Sequence, residues 1–224
     1  MELIHIAIDG PAGAGKSTIA KAVSRELLIP YMDTGAMYRT LALYAIENGA
    51  DPRDEQAVSS LLPQADIRAV HIGGVQHMLV NGEDVTDRLR TPIISKGASD
   101  IGVHPPVRTK LVELQQQFAA ENSVVMDGRD IGTVVMPNAK YKFFVTASAR
   151  VRAMRRLDEM QQKGELLPTL EEMEQTILAR DHTDSTRACA PLRQADDAIL
   201  LDTTNLSIAQ SVDAVLNIVH GGRQ

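Results

Sequence analysis

Asp9-Gly10-Pro11-Ala12-Gly13-Ala14-Gly15-Lys16-Ser17-Thr18 is the stretch from which the rest of the chain is read. It follows Leu3-Ile4-His5-Ile6-Ala7-Ile8, a short apolar run suited to a buried strand, and precedes Ile19, Val23 and Leu27, which recur at helical spacing. A strand, a turn of the form G-x-x-x-x-G-K-[ST] and a helix make a cradle for phosphate. Its glycines let backbone N–H groups converge on phosphate oxygens, and the amino end of the following helix adds positive dipole. Lys16 brings a charge toward the β and γ phosphates, and the Ser17 hydroxyl suits a magnesium ligand. A glycine-rich packing turn that binds nothing is the bland reading. The Lys-Ser pair between strand and helix argues against it.

Working outward, four more apolar runs read as buried parallel strands: Tyr31-Met32, Val124 to Met126, Tyr141 to Val145 and Ala198 to Leu201. Between them Val107, Leu111, Leu114 and Phe118 mark one helix after Pro105-Pro106, and Ile208, Val212, Val215 and Val219 mark another. Strands alternating with amphipathic helices imply right-handed crossovers and a five-stranded parallel sheet covered on both faces. Two stretches depart from that alternation. Ile67 to Ile72, Gly73-Gly74, Val75 to Val80 and Asn81-Gly82 predict a small antiparallel excursion. Ala149 to Arg187, charged and interrupted by Gly164 and Pro168, predicts two helices hinged by a loop, a shape suited to a mobile cover. The expectation is one α/β domain over residues 1–224 with two appendages.

Composition narrows the function classes. A chain of 224 residues with 44% hydrophobic and 23% charged residues has the make-up of an ordinary globular domain. The formal charge of -6 disfavours a general nucleic-acid surface, which needs clustered cations to release counterions. Sixteen of the 23 basic residues are arginine, a bias that suits bidentate phosphate contacts. Cys189 is the only cysteine, so no internal disulfide framework exists and a reducing compartment fits best. No basic leader precedes the first apolar run, and no run approaches a membrane span, so a cytoplasmic protein without a membrane partner is expected. The six histidines show no H-E-x-x-H spacing, and no Asn-Lys-x-Asp guanine reader is found.

A triphosphate site alone does not choose between a switch, a motor and a kinase. The choice turns on what else reaches the carboxyl edge of the sheet, where open parallel sheets hold ligands. Asp33-Thr34-Gly35-Ala36-Met37-Tyr38-Arg39 follows the second strand, and Asp127-Gly128-Arg129-Asp130 follows the third. Arg180, Asp184 and Arg187 are spaced by four and three, so a continuing helix would show them on one face; Arg152, Arg155 and Arg156 are spaced similarly. Singly, each cover arginine reads better as a solvated face or a surface ion pair. Together, Arg39 and Arg129 beside the cradle call for a second anion, such as a phosphate-bearing acceptor. A phosphate monoester, with a second pKa of about 6, is already largely nucleophilic at neutral pH and needs no carboxylate base. Asp127 is a candidate for holding magnesium through water or for capping the turn, and both readings stand.

The blocks Gly10 to Ser17, Asp33 to Arg39, Asp127-Gly128-Arg129-Asp130-Ile131-Gly132-Thr133, and Arg180-Asp181 with Asp184-Ser185-Thr186-Arg187, in this order, resemble the bacterial cytidylate kinase family over almost the whole length. The resemblance implies a P-loop nucleoside monophosphate kinase fold: a five-stranded parallel core, an acceptor-binding insertion near 35–105 and a helical lid near 150–188. It implies transfer of the γ-phosphoryl group of ATP to CMP or dCMP with Mg2+. Gly10, Pro11, Ala12, Gly13, Ala14, Gly15, Lys16, Ser17, Thr18 and Arg155 form the expected ATP-binding set, with Ser17 and Asp127 as the metal pair. Arg39, Arg129, Arg180 and Arg187 are expected around the acceptor phosphate and the transferring group, so that Lys16, Arg129, Arg180 and Arg187 carry the catalysis. Ser99, Arg108 and Asp130 match the family's cytosine readers, with Thr34 nearby and Asp184 matching a ribose contact. Cytosine offers an N4 donor beside N3 and O2 acceptors, which calls for a carboxylate or hydroxyl opposite N4 and a guanidinium opposite the acceptors; uracil mismatches this set. Gln115-Gln116 departs from the Gln-Arg common in relatives, and Gly102 and His104 sit in a stretch usually more apolar. Another small acceptor such as UMP, AMP or a sugar alcohol, or an ATP-dependent switch with no acceptor, remains the alternative. A monomer is expected.

Overall fold

Strand β1 (His5–Asp9) is buried from Ile6 onward and runs up the middle of the main sheet. It is flanked by β6 (Val124–Gly128) and β7 (Tyr141–Thr146), with β2 (Tyr31–Asp33) and β8 (Ile199–Asp202) outermost, all parallel. The computed structural model describes residues 3–221. Strands β3 (Ile67–Ile72), β4 (Val75–Val80) and β5 (Glu83–Asp84) form a separate antiparallel sheet, its first turn at Gly73-Gly74. The chain therefore has the expected architecture, a five-stranded parallel sheet carrying a small antiparallel one.

Alternation in the strands sends side chains to two separate cores. Ile6, Ile8, Val125, Phe143 and Val145 face α1 (Lys16–Leu27) and α8 (Ile208–Val219). Ala7, Val124 and Met126 face the other way, toward α2 (Thr34–Glu47), α4 (Pro92–Ile101), α5 (Pro105–Glu121) and the small sheet. A short helix α3 (Glu55–Leu61) joins this second core through Val58. Each fully buried Ile, Leu or Phe contributes roughly 1.5–3 kcal/mol over its exposed state. Helices α6 (Ala149–Gln162) and α7 (Leu170–Thr186) form a hairpin with a small cluster of its own, Ala153 against Met173 and Ile177.

The strands run one or two residues further than the apolar runs suggest. Their last residues, Asp9, Asp33, Asp127-Gly128 and Asp202, still pair through the backbone, although the four carboxylates belong to neither apolar core. At the other end of β1, Leu3 and Ile4 are partly exposed and fall outside the strand. The carboxyl edge of the sheet is thus a row of acids beside the glycine turn. At Gly10, φ is +144° and an added Cβ would lie 1.9 Å from Val145 O, so only glycine lets the turn leave β1 this close to β7. Gly15 caps α1 in the left-handed region, which aims the first turn of the helix at the cleft. Among the described residues, no helix is long and apolar enough to cross a membrane.

Candidate active site

The glycine turn, the β2–α2 junction, the β6 turn and the α6–α7 hairpin together line a cleft of about 820 Å3, within the range of small-ligand sites. From the turn, Ala12 to Thr18 face it. Gly10 and Pro11, expected among the ATP-binding residues, do not: Gly10 is packed against β7, and the Pro11 carbonyl accepts a 2.7 Å hydrogen bond from Lys16 Nζ. Burial and the nearby Arg129 lower the Lys16 ammonium to about 7, against the pull of Asp127 and Asp9. A charged ligand brought to this lysine would meet little competing solvent, because its side chain is buried.

Asp127 makes no capping bond at its turn. Its Oδ2 accepts from Ser17 Oγ and its Oδ1 from Tyr31 Oη, both at 2.7 Å. Burial, then the charge of Asp33, raises its carboxyl above the usual range. The two candidate magnesium residues therefore touch each other across 110 residues of chain, at the foot of the phosphate cradle.

The acceptor-side residues Thr34, Arg39, Ser99, Arg108, Arg129, Asp130, Arg180, Asp184 and Arg187 all line the same cleft. Thr34 Oγ1 donates to Asp127 O at 2.8 Å, and Ser99 is half-buried on α4. Carboxylates hold most of the guanidinium groups. Arg39 pairs with Asp33 at 2.6 Å, Arg129 Nε with Asp184 Oδ2 at 2.7 Å, and the buried Arg108 with the buried Asp130. Arg187 Nη2 lies 3.5 Å from Asp130 Oδ1, without a hydrogen bond, while its Nε donates to Ala190 O. Arg39 Nε is likewise buried without a partner among the described residues. Arg180 is exposed to the cleft, and the surrounding walls and Arg129 lower its proton affinity to about 10. Burial alone would raise the Asp184 carboxyl, but Arg129, Arg180 and Arg187 outweigh it and hold it low.

Two sequence expectations change. Helix α7 ends at Thr186 and Arg187 is extended, with ψ 141°, so Arg187 reaches Asp130 from beyond the helix rather than along one face with Arg180 and Asp184. The surface pair of Arg180 with Asp184 does not form, because Asp184 turns inward to Arg129. Of the α6 arginines, Arg156 meets Glu159 in solvent, but Arg155 and Arg152 turn to the glycine turn. Arg155 bonds Thr203 Oγ1 and Thr203 O, and Thr203 Oγ1 in turn bonds Ala14 O. Arg152, nearly out of solvent, donates to Ala12 O at 3.1 Å and pairs with Asp181 at 2.6 Å.

Sequence reasoning missed Tyr31 and Thr203, and named Arg152 only for its helical spacing. It also read Asp9 only as the end of a strand. The Asp9 carboxylate accepts from Ile131 N at 2.8 Å and Gly132 N at 2.7 Å, which ties the short π-helical segment Ile131–Val135, and with it the Arg129-Asp130 turn, to β1. The one available signal was position: Asp9 and Thr203 both stand at or just past the carboxyl end of a strand.

The sequence model of the family described as Cytidylate kinase matches residues 6–221. The chain is 48% identical over 215 residues to a Cytidylate kinase from Desulfitobacterium hafniense, covering 96% of this chain and 92% of that protein. It is 45% identical over 220 residues to one from Caldicellulosiruptor bescii, covering 98% and 97%. Among solved structures, an uncharacterized protein from Eubacterium ventriosum aligns with a TM-score of 0.55 at 11% identity, over 97% of this chain and 99% of that one, a likeness of fold. A family match over nearly the full length, on a chain whose cleft joins a phosphate cradle to a ring of arginines, means that it belongs to the cytidylate kinase family.

Proposed function

We propose that this protein transfers the γ-phosphoryl group of ATP to CMP, and to dCMP, giving ADP and the nucleoside diphosphate. One observation carries the reading: Lys16 and the guanidinium groups of Arg39, Arg129, Arg180 and Arg187 line one cleft with the glycine turn. So many cations facing one space suit two phosphate-bearing substrates that meet head to head.

In this reading the glycine turn and Lys16 hold the triphosphate, and Arg155 with Thr203 forms the wall beside it. Arg39 and Arg187 take the acceptor phosphate, while Arg129 and Arg180 meet the charge on the transferring group. Before substrate arrives, Asp33 holds Arg39 and Asp184 holds Arg129, while Asp130 stands 3.5 Å from Arg187; Arg180 has no carboxylate partner among the described residues. Phosphate oxygens then compete for donors already in place, which lowers the reorganisation needed for in-line transfer. The acceptor is its own nucleophile at neutral pH, so its alignment replaces a general base. Ser17, as a direct ligand, and Asp127, through water, would fit Mg2+, which takes few protein ligands besides waters and substrate phosphates. When bound it supplies charge neutralisation at the β and γ phosphates.

The α6–α7 hairpin acts as the lid, covering residues near 150–188, and the stretch near 35–105 as the acceptor-binding insertion. Closure of such a lid keeps water from taking the phosphoryl group. The Arg108–Asp130 pair beside Ser99 supplies the guanidinium, carboxylate and hydroxyl that cytosine requires. Every group named comes from one chain, so a monomer suffices.

Steady-state ADP production with ATP, magnesium and a panel of nucleoside monophosphates tests the reading, together with Arg129→Ala and Arg187→Ala. CMP and dCMP are expected to turn over well ahead of UMP and AMP. Each arginine change should cut transfer by about 100-fold or more, in line with losing one preorganised charge donor, and leave ATP affinity nearly intact. Vigorous turnover of UMP or AMP alone, or full activity in both variants, would overturn it.

A further inference from the structure

β2 is an outer strand of the main sheet, so among the described residues no strand lies beside one of its edges. Side chains of the β3–β4 hairpin cover that edge. The Gln76 amide plays both parts of a missing neighbour: its Oε1 accepts from Asp33 N at 2.6 Å, and its Nε2 donates to Asp33 O at 3.3 Å. His71, the register partner of Gln76 across the hairpin, has its Nε2 2.8 Å from Tyr31 O. Residues 31 and 33 are alternate positions, whose backbone groups point to the same side of a strand. The hairpin therefore grips β2 at both residues that the sheet leaves open.

Much of the acceptor side hangs on that short strand. Asp33 Oδ1 accepts from Ala36 N at 2.9 Å and so starts α2, while Oδ2 holds Arg39 at 2.6 Å. Next in line, Thr34 donates to Asp127 O. Among the described residues Arg39 Nε has no partner and its guanidinium is pinned by the Asp33 carboxylate, so the position of Asp33 decides where the charge of Arg39 sits. Two hydrogen bonds to the Asp33 backbone come from Gln76. The hairpin, in turn, shares one core with α2 through Ile67, Met78 and Val80 against Met37 and Leu41.

We propose that Gln76, supported by His71, is a positioning residue for the acceptor phosphate: it closes the open edge of β2 so that Asp33 presents Arg39 to the acceptor half of the cleft. The inference rests on Arg39 being an acceptor-phosphate residue. It names the contact through which the small antiparallel sheet, part of the proposed acceptor-binding insertion, acts on Arg39.

Gln76→Met keeps the length of the side chain and removes both hydrogen bonds to Asp33, along with the weak 3.1 Å bond from Gln76 Nε2 to Met78 Sδ. The measurement is steady-state kinetics on the full chain with CMP and ATP varied separately, in the wild-type and in the Arg39→Ala background. Loss of two hydrogen bonds predicts a KM for CMP raised about five- to tenfold, with KM for ATP changed less than about twofold. In the Arg39→Ala background the same substitution should add less than about twofold, because the residue it acts through is gone. His71→Phe, which keeps a ring against Phe118, should give a smaller rise with the same split, and serves if Gln76→Met does not fold. Equal rises in both KM values, a fall in kcat alone, or full additivity with Arg39→Ala overturns the proposal. If Arg39→Ala leaves KM for CMP unchanged, the reading of Arg39 fails and the proposal with it. If Arg39→Ala raises that KM and Gln76→Met does not, the proposal fails alone.

Discussion

Replacing Tyr31 by Phe removes one oxygen from the foot of the cleft and nothing from the substrate walls. The Tyr31 hydroxyl donates to Asp127 Oδ1 at 2.7 Å where Tyr31 is 7% and Asp127 5% exposed. Water cannot readily take its place there. A hydrogen bond to a charged acceptor contributes about 1.5–3 kcal/mol, and a buried oxygen left alone bears its full desolvation cost. Asp127 is already pushed toward its neutral form by burial and by Asp33, so the loss weakens it further as an anchor for magnesium. At 1.4 kcal/mol per factor of ten, kcat/KM for ATP should fall by about tenfold to a hundredfold in Tyr31→Phe. The magnesium concentration giving half the maximal rate should rise alongside it. KM for CMP should change less than about twofold, since Arg39, Arg129 and Arg187 bond other groups than this phenol. The assay is coupled ADP release over a wide range of total magnesium, run beside urea unfolding. A variant that loses stability yet keeps the wild-type magnesium dependence would refute the reasoning, and Asp127 would then be a structural brace.

Burial holds the Asp9 carboxyl up at about 6 from its ordinary 3.8, although Gly132 N and Ile131 N lower it. The folded chain thus binds this proton more tightly than the unfolded one, so Asp9 favours folding fully below about 3.8 and that contribution is lost as pH rises through about 6, by roughly 3 kcal/mol. Asp9→Asn should flatten this part of the stability profile, read from urea midpoints across the window; an unchanged slope would assign it to another group. Asp130 stands between the buried Arg108 and Arg187, and breaking such a pairing costs about 3–5 kcal/mol, divided between stability and acceptor binding. Asp130→Asn should therefore lower kcat/KM for CMP by about 100-fold and for UMP by clearly less, narrowing the preference; an equal fall for both acceptors counts against Asp130 as a cytosine reader.

What was legible in the amino-acid sequence is what neighbouring residues settle among themselves. The glycine turn needs its φ angles, its lysine and its serine within nine residues, so Gly10 to Thr18 announces its geometry locally. The five strands show as apolar runs, and the hairpin shows through Gly73-Gly74. Convergence of Arg39 and Arg129 on one cleft was also reachable, since strand ends place them at one edge; Arg108, Arg180 and Arg187 joined them only through the family resemblance.

The pairing of those groups was not reachable. Helical spacing offers Asp184 to Arg180, four residues away, yet the carboxylate goes to Arg129, 55 residues away. Arg152 finds Ala12 and Asp181, Tyr31 finds Asp127, and Gln76 finds Asp33, each across 29 residues or more. Local sequence fixes backbone conformation because sterics and hydrogen bonding act over a few residues, so the cradle and the strands were determined there. The order β2-β6-β1-β7-β8 is a property of the whole chain, and that order brings distant side chains within about 3 Å of their partners; only the tertiary structure decides which carboxylate holds which arginine.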